Sequence, residues 1–567
     1  MENISLLRKE DWRVSVNERV CGDEVCYSVT NNTAEDVRIQ DVYVYSESHG
    51  FVADAKVVAE GYTMLSQYAG TVGEIKCFAS LTDKGHYKLR QVDGFSTVYN
   101  YIIIENSGKW DLYSFTSCKR FNGRILINAS ELVLVVDMEN TVVKAGETVE
   151  IESVYISRAK SFTQNIADMG ELIGKNHEIR LTQKLPTGWC SWYCFGPGLT
   201  VNDVERNLDV MNESLPQFEY VQIDDGYQAN MGDWLDCADY FGDVREVIGV
   251  IRDKGFEPAI WVAPFIAEAN SAVFKEHPEY FIKDKRTGLP LSSAEFTFAG
   301  WRRGPWYMID GTNPAAQAHL TNVFRTMREE WKVKYFKLDA NVWGALTCDN
   351  AVRYDENSTT VDAYRQGMEA VWKGAGADAV VLGCNAPMWS SIGAVNAMRI
   401  SGDLSRDFGT LKMLRKEIFN RNWMHNVLWT NDPDVFTVQN QYNEQLMPDG
   451  SIKRSDSSNL TEDELEYQRA MMFASAGMIL SGDDMTHYTK KELDAIKLFD
   501  IIADNDSPSE RAATFDEEEA IKTGDRFAAA SLTRNNKTYL CLFNDAETEQ
   551  TIKNHKIPPH GAKIVEL

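Results

Sequence analysis

The chain has 567 residues, of which 44% are hydrophobic and 25% charged, as in an ordinary globular protein of several domains. Its 84 acidic and 58 basic residues give a formal net charge of -26, which disfavours binding to nucleic acid and suits a neutral or cationic ligand. No stretch approaches the roughly 18 apolar residues of a membrane span. The opening sequence MENISLLRKEDWRV lacks the apolar segment of a signal peptide, so we expect a cytoplasmic protein without membrane partners.

Cysteine and aromatic usage narrow the class further. Ten cysteines are too few for a disulfide scaffold in a chain of this length, and Cys190 and Cys194 lack a second pair at zinc-ligand spacing. We therefore expect the cysteines to be reduced. The 14 Trp and 23 Tyr are typical of a protein that stacks aromatic faces on sugar rings, although many serve a core.

Residues 1–165 are predicted to form an N-terminal β-sandwich. Alternating or β-branched runs favour strands, and turn signals such as Asn-Gly at 122–123 separate these runs. A helical pattern at 160–176 predicts a connector that reaches to about residue 185. The predicted strands are 37–47, 101–106, 111–117, 124–138 and 148–157.

From 186 to 505, strand-like and helix-like segments alternate, which is typical of a (β/α)8 TIM barrel. The eight predicted strands are 188–193, 220–225, 257–265, 335–339, 379–384, 397–403, 426–434 and 478–484. The predicted helices among them are 201–213, 243–255, 314–331, 361–376, 414–424 and 464–477.

The end of the chain returns to strand alternation. A closing helix of the barrel is predicted at 493–503, and residues 506–567 are predicted to form a small antiparallel β domain. The expected fold class is therefore multidomain, with a central TIM barrel between an N-terminal β-sandwich and a C-terminal β domain.

One stretch, WKVKYFKLDAN at 331–341, organises the expected site. Its apolar and aromatic run reads as a buried parallel strand that ends in Lys337, Asp339 and Asn341. Residues two apart point to the same side of a strand, and the carboxyl ends of parallel strands are where such folds carry out chemistry. A structural Lys–Asp pair at the strand end is the alternative interpretation.

The other predicted strands also end in polar or aromatic residues, which together describe an acidic, Trp-rich pocket. Asp accepts hydrogen bonds from sugar hydroxyls, Lys and Arg donate them, and Trp covers the apolar face of the ring. The sequence contains no GxGxxG, Walker or HExxH motif, so we expect no metal and no organic cofactor. The strand-end residues are Trp192, Tyr193, Asp224, Asp225, Trp261, Lys337, Asp339, Asn341, Cys384, Asn385, Arg399, Asp403, Asn431, Asp432, Asp434, Asp483 and Asp484.

The ordered motifs GWCSWY, QIDDGY, GDW, IWVAPF, HPEY, FKLDAN, LGCNAP and RISGD resemble those of glycoside hydrolase family 36. More narrowly, they are similar to those of the compact bacterial α-galactosidases of that family, the melibiases. The resemblance extends from about residue 180 to about 410, and the flanking β domains agree in order. It implies a retaining exo-α-galactosidase that removes terminal α-linked galactose from melibiose- or raffinose-type oligosaccharides.

The resemblance also implies roles for individual residues. The nucleophile falls on Asp339 and the acid/base on Asp403, whereas Asp224 and Asp225 match the pair that holds the 4-hydroxyl and 6-hydroxyl of galactose. Asp407 is an alternative acid if that segment is helical. The other residues implied to bind substrate are Trp192, Trp261, Lys337, Cys384, Asn385 and Arg399.

Retaining cleavage needs one ionised and one protonated carboxyl group. We expect Lys337 to lower the pKa of Asp339 and so to keep that carboxylate a ready nucleophile. For Asp403 we expect a partly buried position among other acids, which raises its pKa against the influence of Arg399.

Two departures from the family pattern leave alternatives open. Met64 and Leu65 occupy the region in which many family members place a Trp of the N-terminal domain near the pocket. Tyr68 is a candidate substitute for that Trp. Asn385 is larger than the residue common in compact relatives, which leaves α-N-acetylgalactosaminidase as an alternative. Galactosyl transfer, as in raffinose synthases, and sugar binding without catalysis are further alternatives. The segment 430–434 is interpreted either as residues that support the site from outside or as a loop. The sequence does not predict the course of the chain over 281–306. It also does not predict whether the protein is a monomer or a homo-oligomer.

Overall fold

The structure is a computed structural model that describes residues 1–8, 11–78, 81–438, 460–496, 511–534 and 536–567, together with the backbone of 444–446 and 452–454. Within this part of the chain, no helix combines the length and apolar character needed to cross a membrane.

The strands of the N-terminal domain join in one hydrogen-bonded sheet network. Val29, Ile39, Ile102 and Leu134 belong to the apolar core that this network encloses. The all-β prediction for this region is therefore confirmed. The strands are Glu2–Ile4, Val14–Cys21, Glu24–Asn31, Val37–Ser48, Lys56–Glu60, Gln67–Thr71, Glu74–Cys77, Ser96–Asn106, Lys109–Phe115, Asn122–Ile127, Glu131–Val143, Thr148–Glu150 and Val154–Lys160.

Three details of the predicted N-terminal domain are wrong. The run 148–157 is not one strand, because Thr148–Glu150 and Val154–Lys160 are two separate strands. The run 124–138 is two antiparallel strands rather than one, because the Asn128 side chain accepts the backbone N–H groups of Ser130 and Glu131, both at 2.9 Å, and closes a turn. Cys21 and Cys26 form a disulfide, so the expectation of reduced cysteines fails for this pair.

Eight parallel strands, β1 to β8, form the barrel. Strands β1 to β7 pair in chain order, each with the next, and β1 also pairs with β8. In the described part of the chain, no ladder joins β7 to β8. A single bridge between Phe436 and Ser481 links the segment after β7 to β8. The strands are Thr187–Cys190, Tyr220–Ile223, Glu257–Val262, Tyr335–Leu338, Val380–Gly383, Ala397–Arg399, Thr430–Asp432 and Ile479–Ser481. The predicted barrel is confirmed.

Six helices, α1 to α6, connect these strands and start at recognisable caps. Thr200, Thr359 and Thr461 each form a capping box that satisfies free N–H groups of the first turn. Helix α5 starts earlier than predicted because Asp407 caps it by accepting the Thr410 N–H at 2.8 Å. The helices are Val201–Ser214, Val244–Asp253, Pro314–Glu329, Thr360–Ala375, Phe408–Arg421 and Glu462–Ser475.

A helix at Phe162–Asn176 leads from the N-terminal domain to the barrel, as predicted. Four antiparallel strands form the C-terminal sheet, which confirms the third part of the expected fold class. They are Thr514–Phe515, Ala529–Arg534, Lys537–Phe543 and Ala562–Glu566. Of the predicted closing helix, Lys490–Ile496 is helical, and residues 497–503 and the proposed boundary near 505 lie outside the described residues. The other domain boundaries stay predictions.

The N-terminal domain docks onto the barrel through the loop after Lys56–Glu60. The backbone N–H of Met64 donates to the carbonyl of Ala386 at 2.9 Å. Beneath this contact, Arg421 of α5 forms a fully buried ion pair with Glu60. Because breaking a buried ion pair costs about 3–5 kcal/mol, this contact fixes the loop against the barrel.

Candidate active site

The ten predicted site residues lie at one end of the barrel. The eight strands are parallel, so their carboxyl ends meet at the same edge. Each predicted residue lies in the last two residues of a strand or within four residues after it. They are Trp192, Asp224, Asp225, Trp261, Lys337, Asp339, Cys384, Asn385, Arg399 and Asp403. The structure brings these residues to one region, and their chemical roles stay predictions.

A buried ion pair joins Lys337 of β4 to Asp224, which follows β2. The Lys337 ammonium donates to Asp224 Oδ2 at 2.9 Å, and Gln222 Nε2 donates to the same oxygen at 2.6 Å. Burial opposes the charge on Lys337, but the attraction of Asp224 and neighbouring groups outweighs it, so the Lys337 pKa lies well above its ordinary value. This contact favours the charged form of the buried Lys337 ammonium.

Asp339 accepts hydrogen bonds from uncharged donors. The Trp261 indole donates to Oδ2 at 3.2 Å, and the Ala340 backbone N–H donates to Oδ1 at 2.6 Å. Burial raises the pKa of Asp339, Lys337 lowers it, and Asp403 raises it further. The expectation of a lowered pKa is wrong because burial outweighs Lys337, whose ammonium bonds to Asp224 instead.

Asp403 stands in the loop after β6 with 71% of its side chain exposed. Arg399 Nη2 donates to its Oδ1 at 3.0 Å. The expected partly buried position is therefore wrong. Asp407 is the cap of α5 and not a second acid on a shared helical face.

Asp434, interpreted from the sequence as outer support or loop, is part of the buried network beside Asp403. Its Oδ2 accepts from the Tyr193 hydroxyl at 2.5 Å and from the Leu404 backbone N–H at 2.8 Å, and it forms an ion pair with Arg399. Burial raises the pKa of Asp434 to about 7, against the opposing effect of Arg399. Arg399 therefore contacts two carboxyl groups, the buried one of Asp434 and the exposed one of Asp403.

Asp225 is held by an arginine that the sequence did not single out. Arg302 Nε donates to Asp225 Oδ2 at 3.0 Å, and Arg302 Nη2 pairs with the other oxygen. Gln228 Nε2 also donates to Oδ1 at 2.6 Å. Arg302 comes from the loop at 281–306, whose course the sequence did not predict, so only its Trp-Arg-Arg run could have drawn attention to it.

The N-terminal domain contributes two side chains beside β5. The Tyr87 hydroxyl donates to Asn385 Oδ1 at 2.6 Å, and the Asn385 backbone N–H contacts Met64 Sδ at 3.0 Å. Met64 therefore reaches the site region as expected. The Tyr68 hydroxyl donates to Asp83 at 3.2 Å, and its role as a substitute for the missing Trp stays a prediction.

The remaining predicted residues are apolar neighbours of the charged groups. Cys384 is buried at the end of β5, where burial and the nearby Asp339 raise the pKa of its thiol. Trp192 is half-buried on the short helix Trp192–Phe195 after β1. In the described part of the chain, no three His, Cys, Asp or Glu side chains are arranged to hold a metal ion.

Comparison with known families identifies the class of this barrel. Residues 186–477, more than half of the 567 residues, match the family described as Glycosyl hydrolases family 31 TIM-barrel domain. The chain belongs to this family.

Two curated relatives match short stretches. The myogenesis-regulating glycosidase of Mus musculus is 27% identical over 154 residues, which is 27% of this chain and 20% of the relative. The A type blood alpha-D-galactosamine galactosaminidase of Flavonifractor plautii is 27% identical over 168 residues, which is 29% of this chain and 15% of the relative. The matched region thus spans no more than 20% of either relative.

Solved structures share the whole architecture at low sequence identity. An alpha-galactosidase from Thermus thermophilus, in complex with p-nitrophenyl alpha-D-galactopyranoside, has a TM-score of 0.63 and 16% identity, covering 96% of this chain and 99% of that one. A GH36 alpha-galactosidase from Geobacillus stearothermophilus, in complex with raffinose, has a TM-score of 0.63 and 10% identity, covering 98% of this chain and 79% of that one. These likenesses establish a common fold.

The raised pKa of Asp434 gives a pH prediction for stability. Between its ordinary pKa of 3.8 and about 7, the folded protein binds a proton at Asp434 that the unfolded chain has lost. Stability from this group is therefore present at low pH and is lost as the pH rises through that window. We expect the free energy of unfolding of Asp434→Asn, measured by chemical denaturation, to fall less than that of the wild type between about pH 5 and about pH 8.

The matched control is Asp54→Asn, at an exposed position in the N-terminal domain. It should follow the wild-type pH dependence. Identical pH dependence of Asp434→Asn and wild type would show that Asp434 is ionised throughout the window.

Proposed function

We propose that the protein is a retaining exo-α-galactosidase of family 36 type, which hydrolyses terminal α-linked galactose with Asp339 as nucleophile and Asp403 as acid/base. The motif resemblance, the family membership and the shared architecture with α-galactosidases support this proposal. The cytoplasmic location and the assembly state stay predictions.

The observation that carries the proposal is the division of roles among the four predicted site carboxyls. Asp224 forms an ion pair with Lys337 and Asp225 with Arg302, so these two carboxyl groups are fixed in place. Asp339 instead accepts from an indole and a backbone N–H, and Asp403 is exposed beside Arg399. A nucleophile and an acid/base are the two carboxyl groups that a retaining glycosidase must keep free to react.

In the first step, Asp403 protonates the leaving oxygen while Asp339 attacks the anomeric carbon and forms a covalent glycosyl-enzyme. Burial makes the ionised form of Asp339 costly, and the positive charge that develops on the sugar relieves that cost. In the second step, Asp403 accepts a proton from water, which attacks the same carbon and releases galactose.

The paired groups suit a neutral, hydroxyl-rich ring. The Asp224–Lys337 and Asp225–Arg302 pairs each offer acceptors and donors without a net charge. Trp261 lies beside Asp339, where an aromatic face covers the apolar side of a sugar. The net charge of -26 agrees with a neutral substrate.

A second candidate activity, α-N-acetylgalactosaminidase, is favoured by the geometry at Asn385. Tyr87 occupies Asn385 Oδ1, which leaves the Nδ2 donor for a substrate acceptor. By the motif resemblance this strand end lies near the 2-position of the sugar, where the two substrates differ. The relative from Flavonifractor plautii is described as acting on a galactosamine.

The first experiment compares p-nitrophenyl α-galactoside and p-nitrophenyl α-N-acetylgalactosaminide under identical conditions. We expect turnover of the galactoside. Turnover of the N-acetylated substrate alone would identify the protein as an α-N-acetylgalactosaminidase instead. If neither substrate is hydrolysed, both candidate activities are contradicted. Product analysis with an excess of acceptor sugar separates hydrolysis from galactosyl transfer, because a transferase yields a new oligosaccharide and little free galactose.

Asp339→Ala tests the nucleophile. We expect turnover to be abolished and then restored by azide, which takes the place of the missing carboxylate and yields the inverted β-galactosyl azide. The matched control is Asp403→Ala, in which azide attacks the covalent intermediate and yields the retained α-anomer. The anomeric configuration is read by NMR, and an α-azide from Asp339→Ala would contradict the assignment.

Arg302→Gln tests the support of Asp225. Loss of a charge-assisted contact is expected to lower kcat/KM by roughly 10- to 100-fold, with a higher KM, because Asp225 loses its orientation toward the sugar. The neighbouring Arg303, whose guanidinium bonds to the Ala229 carbonyl, provides the matched control Arg303→Gln. Equal kinetic effects of the two substitutions would contradict the role of Arg302.

A further inference from the structure

Two buried carboxyl groups hold the backbone on either side of Asp403. The Gly402 N–H donates to Glu417 Oε2 at 2.6 Å, and the Leu404 N–H donates to Asp434 Oδ2 at 2.8 Å. Glu417 belongs to helix α5 and Asp434 follows β7. The peptide groups that carry Asp403 are thus bound from two different elements of the barrel.

The need for this support follows from the exposure of Asp403. With 71% of its side chain exposed, Asp403 has little packing to fix its direction. Arg399 Nη2 contacts Asp403 Oδ1 at 3.0 Å and the Gly402 carbonyl at 3.0 Å. A proton donor must lie within hydrogen-bond reach of the leaving oxygen, and a displacement of about 1 Å can cost roughly 100-fold in rate.

We propose that Glu417 and Asp434 are positioning residues that hold the Asp403 loop in the geometry required for proton transfer. The inference rests on the proposed role of Asp403 as acid/base. Neither carboxyl group is required to contact the substrate. Each acts by binding the N–H next to Asp403, so that the carboxyl group projects from a fixed backbone beside Arg399.

The free-energy cost of burying the Glu417 and Asp434 carboxyl groups argues against a purely structural role for them. Glu417 is fully buried, and burial raises its pKa to about 7. Its Oε1 has no hydrogen-bond partner among the described residues. A buried carboxyl oxygen without a partner costs about 1–3 kcal/mol, and such unsatisfied groups call for an explanation in function. Holding the acid/base loop supplies that explanation.

The experiment compares melibiose, which has a poor leaving group, with p-nitrophenyl α-galactoside, which has an activated one. Glu417→Leu removes the acceptor of the Gly402 N–H. We expect kcat/KM on melibiose to fall at least about tenfold more than on the aryl galactoside, because only the poor leaving group depends on the acid. Glu417→Gln keeps an acceptor oxygen and should stay within about threefold of wild type on both substrates.

Two further variants keep the test decisive. Glu417→Asp keeps a carboxyl group but withdraws the acceptor by one methylene. If Glu417→Leu does not fold, Glu417→Asp should show the same leaving-group dependence. Glu152→Leu is the matched control, because Glu152 is also buried and accepts the N–H groups of Lys119, Arg120 and Phe121 within the N-terminal domain. Its activity should change equally on both substrates, whatever its melting temperature.

Equal losses on melibiose and the aryl galactoside in Glu417→Leu and Glu417→Asp would overturn the positioning role and leave the proposed function intact. A Glu417→Gln variant as impaired as Glu417→Leu would also overturn it. Failure of the wild type on both α-galactosides would instead refute the proposed function and, with it, this inference.

Discussion

Several charged side chains at the carboxyl end of this barrel are largely buried from water, and each of these depends on an oppositely charged partner. Lys337 with Asp224 and Arg302 with Asp225 form two such pairs, and Arg399 with Asp434 forms a third. Removing one member of a buried pair costs about 3–5 kcal/mol because the other charge remains. These ion pairs therefore determine which charged side chains of the site region are held in place.

Asp339 is set apart by this arrangement. Its oxygens accept from Trp261 and from a backbone N–H, whereas a lysine lies two residues earlier in the same strand. That lysine is committed to Asp224. Under the proposed mechanism, a carboxylate without a direct ion-pair partner can stabilise the positive charge that develops on the sugar.

Side chains from both the barrel and the N-terminal domain form the site region. The buried Arg421–Glu60 pair fixes the loop that carries Met64, and Tyr87 from the same domain determines how Asn385 is oriented. The N-terminal domain therefore does more than cover the barrel. It contributes side chains that contact Asn385 beside β5.

The sequence predicted the barrel well because its strands are buried on both sides and read as short apolar runs. Parallel topology then brings their last residues together, which explains why all ten predicted residues meet at one end. Arg302 and Tyr87 escaped prediction because their contacts cross 77 and 298 residues and depend on loops without periodicity. The exposure of Asp403 was missed because burial of a loop residue depends on neighbours that no local pattern reveals.

The different depths of the two proposed catalytic groups have a common explanation. Under the proposed mechanism, the nucleophile attacks the anomeric carbon from the β face, opposite the leaving oxygen, and the acid must reach that oxygen, which leads out of the pocket. A half-buried Asp339 and an exposed Asp403 fit these two positions. An acid at the mouth lacks surrounding side chains to orient it, so the orientation has to come from its backbone. Glu417 and Asp434 provide that restraint by accepting the N–H groups of Gly402 and Leu404 in a buried region, where water does not compete for them.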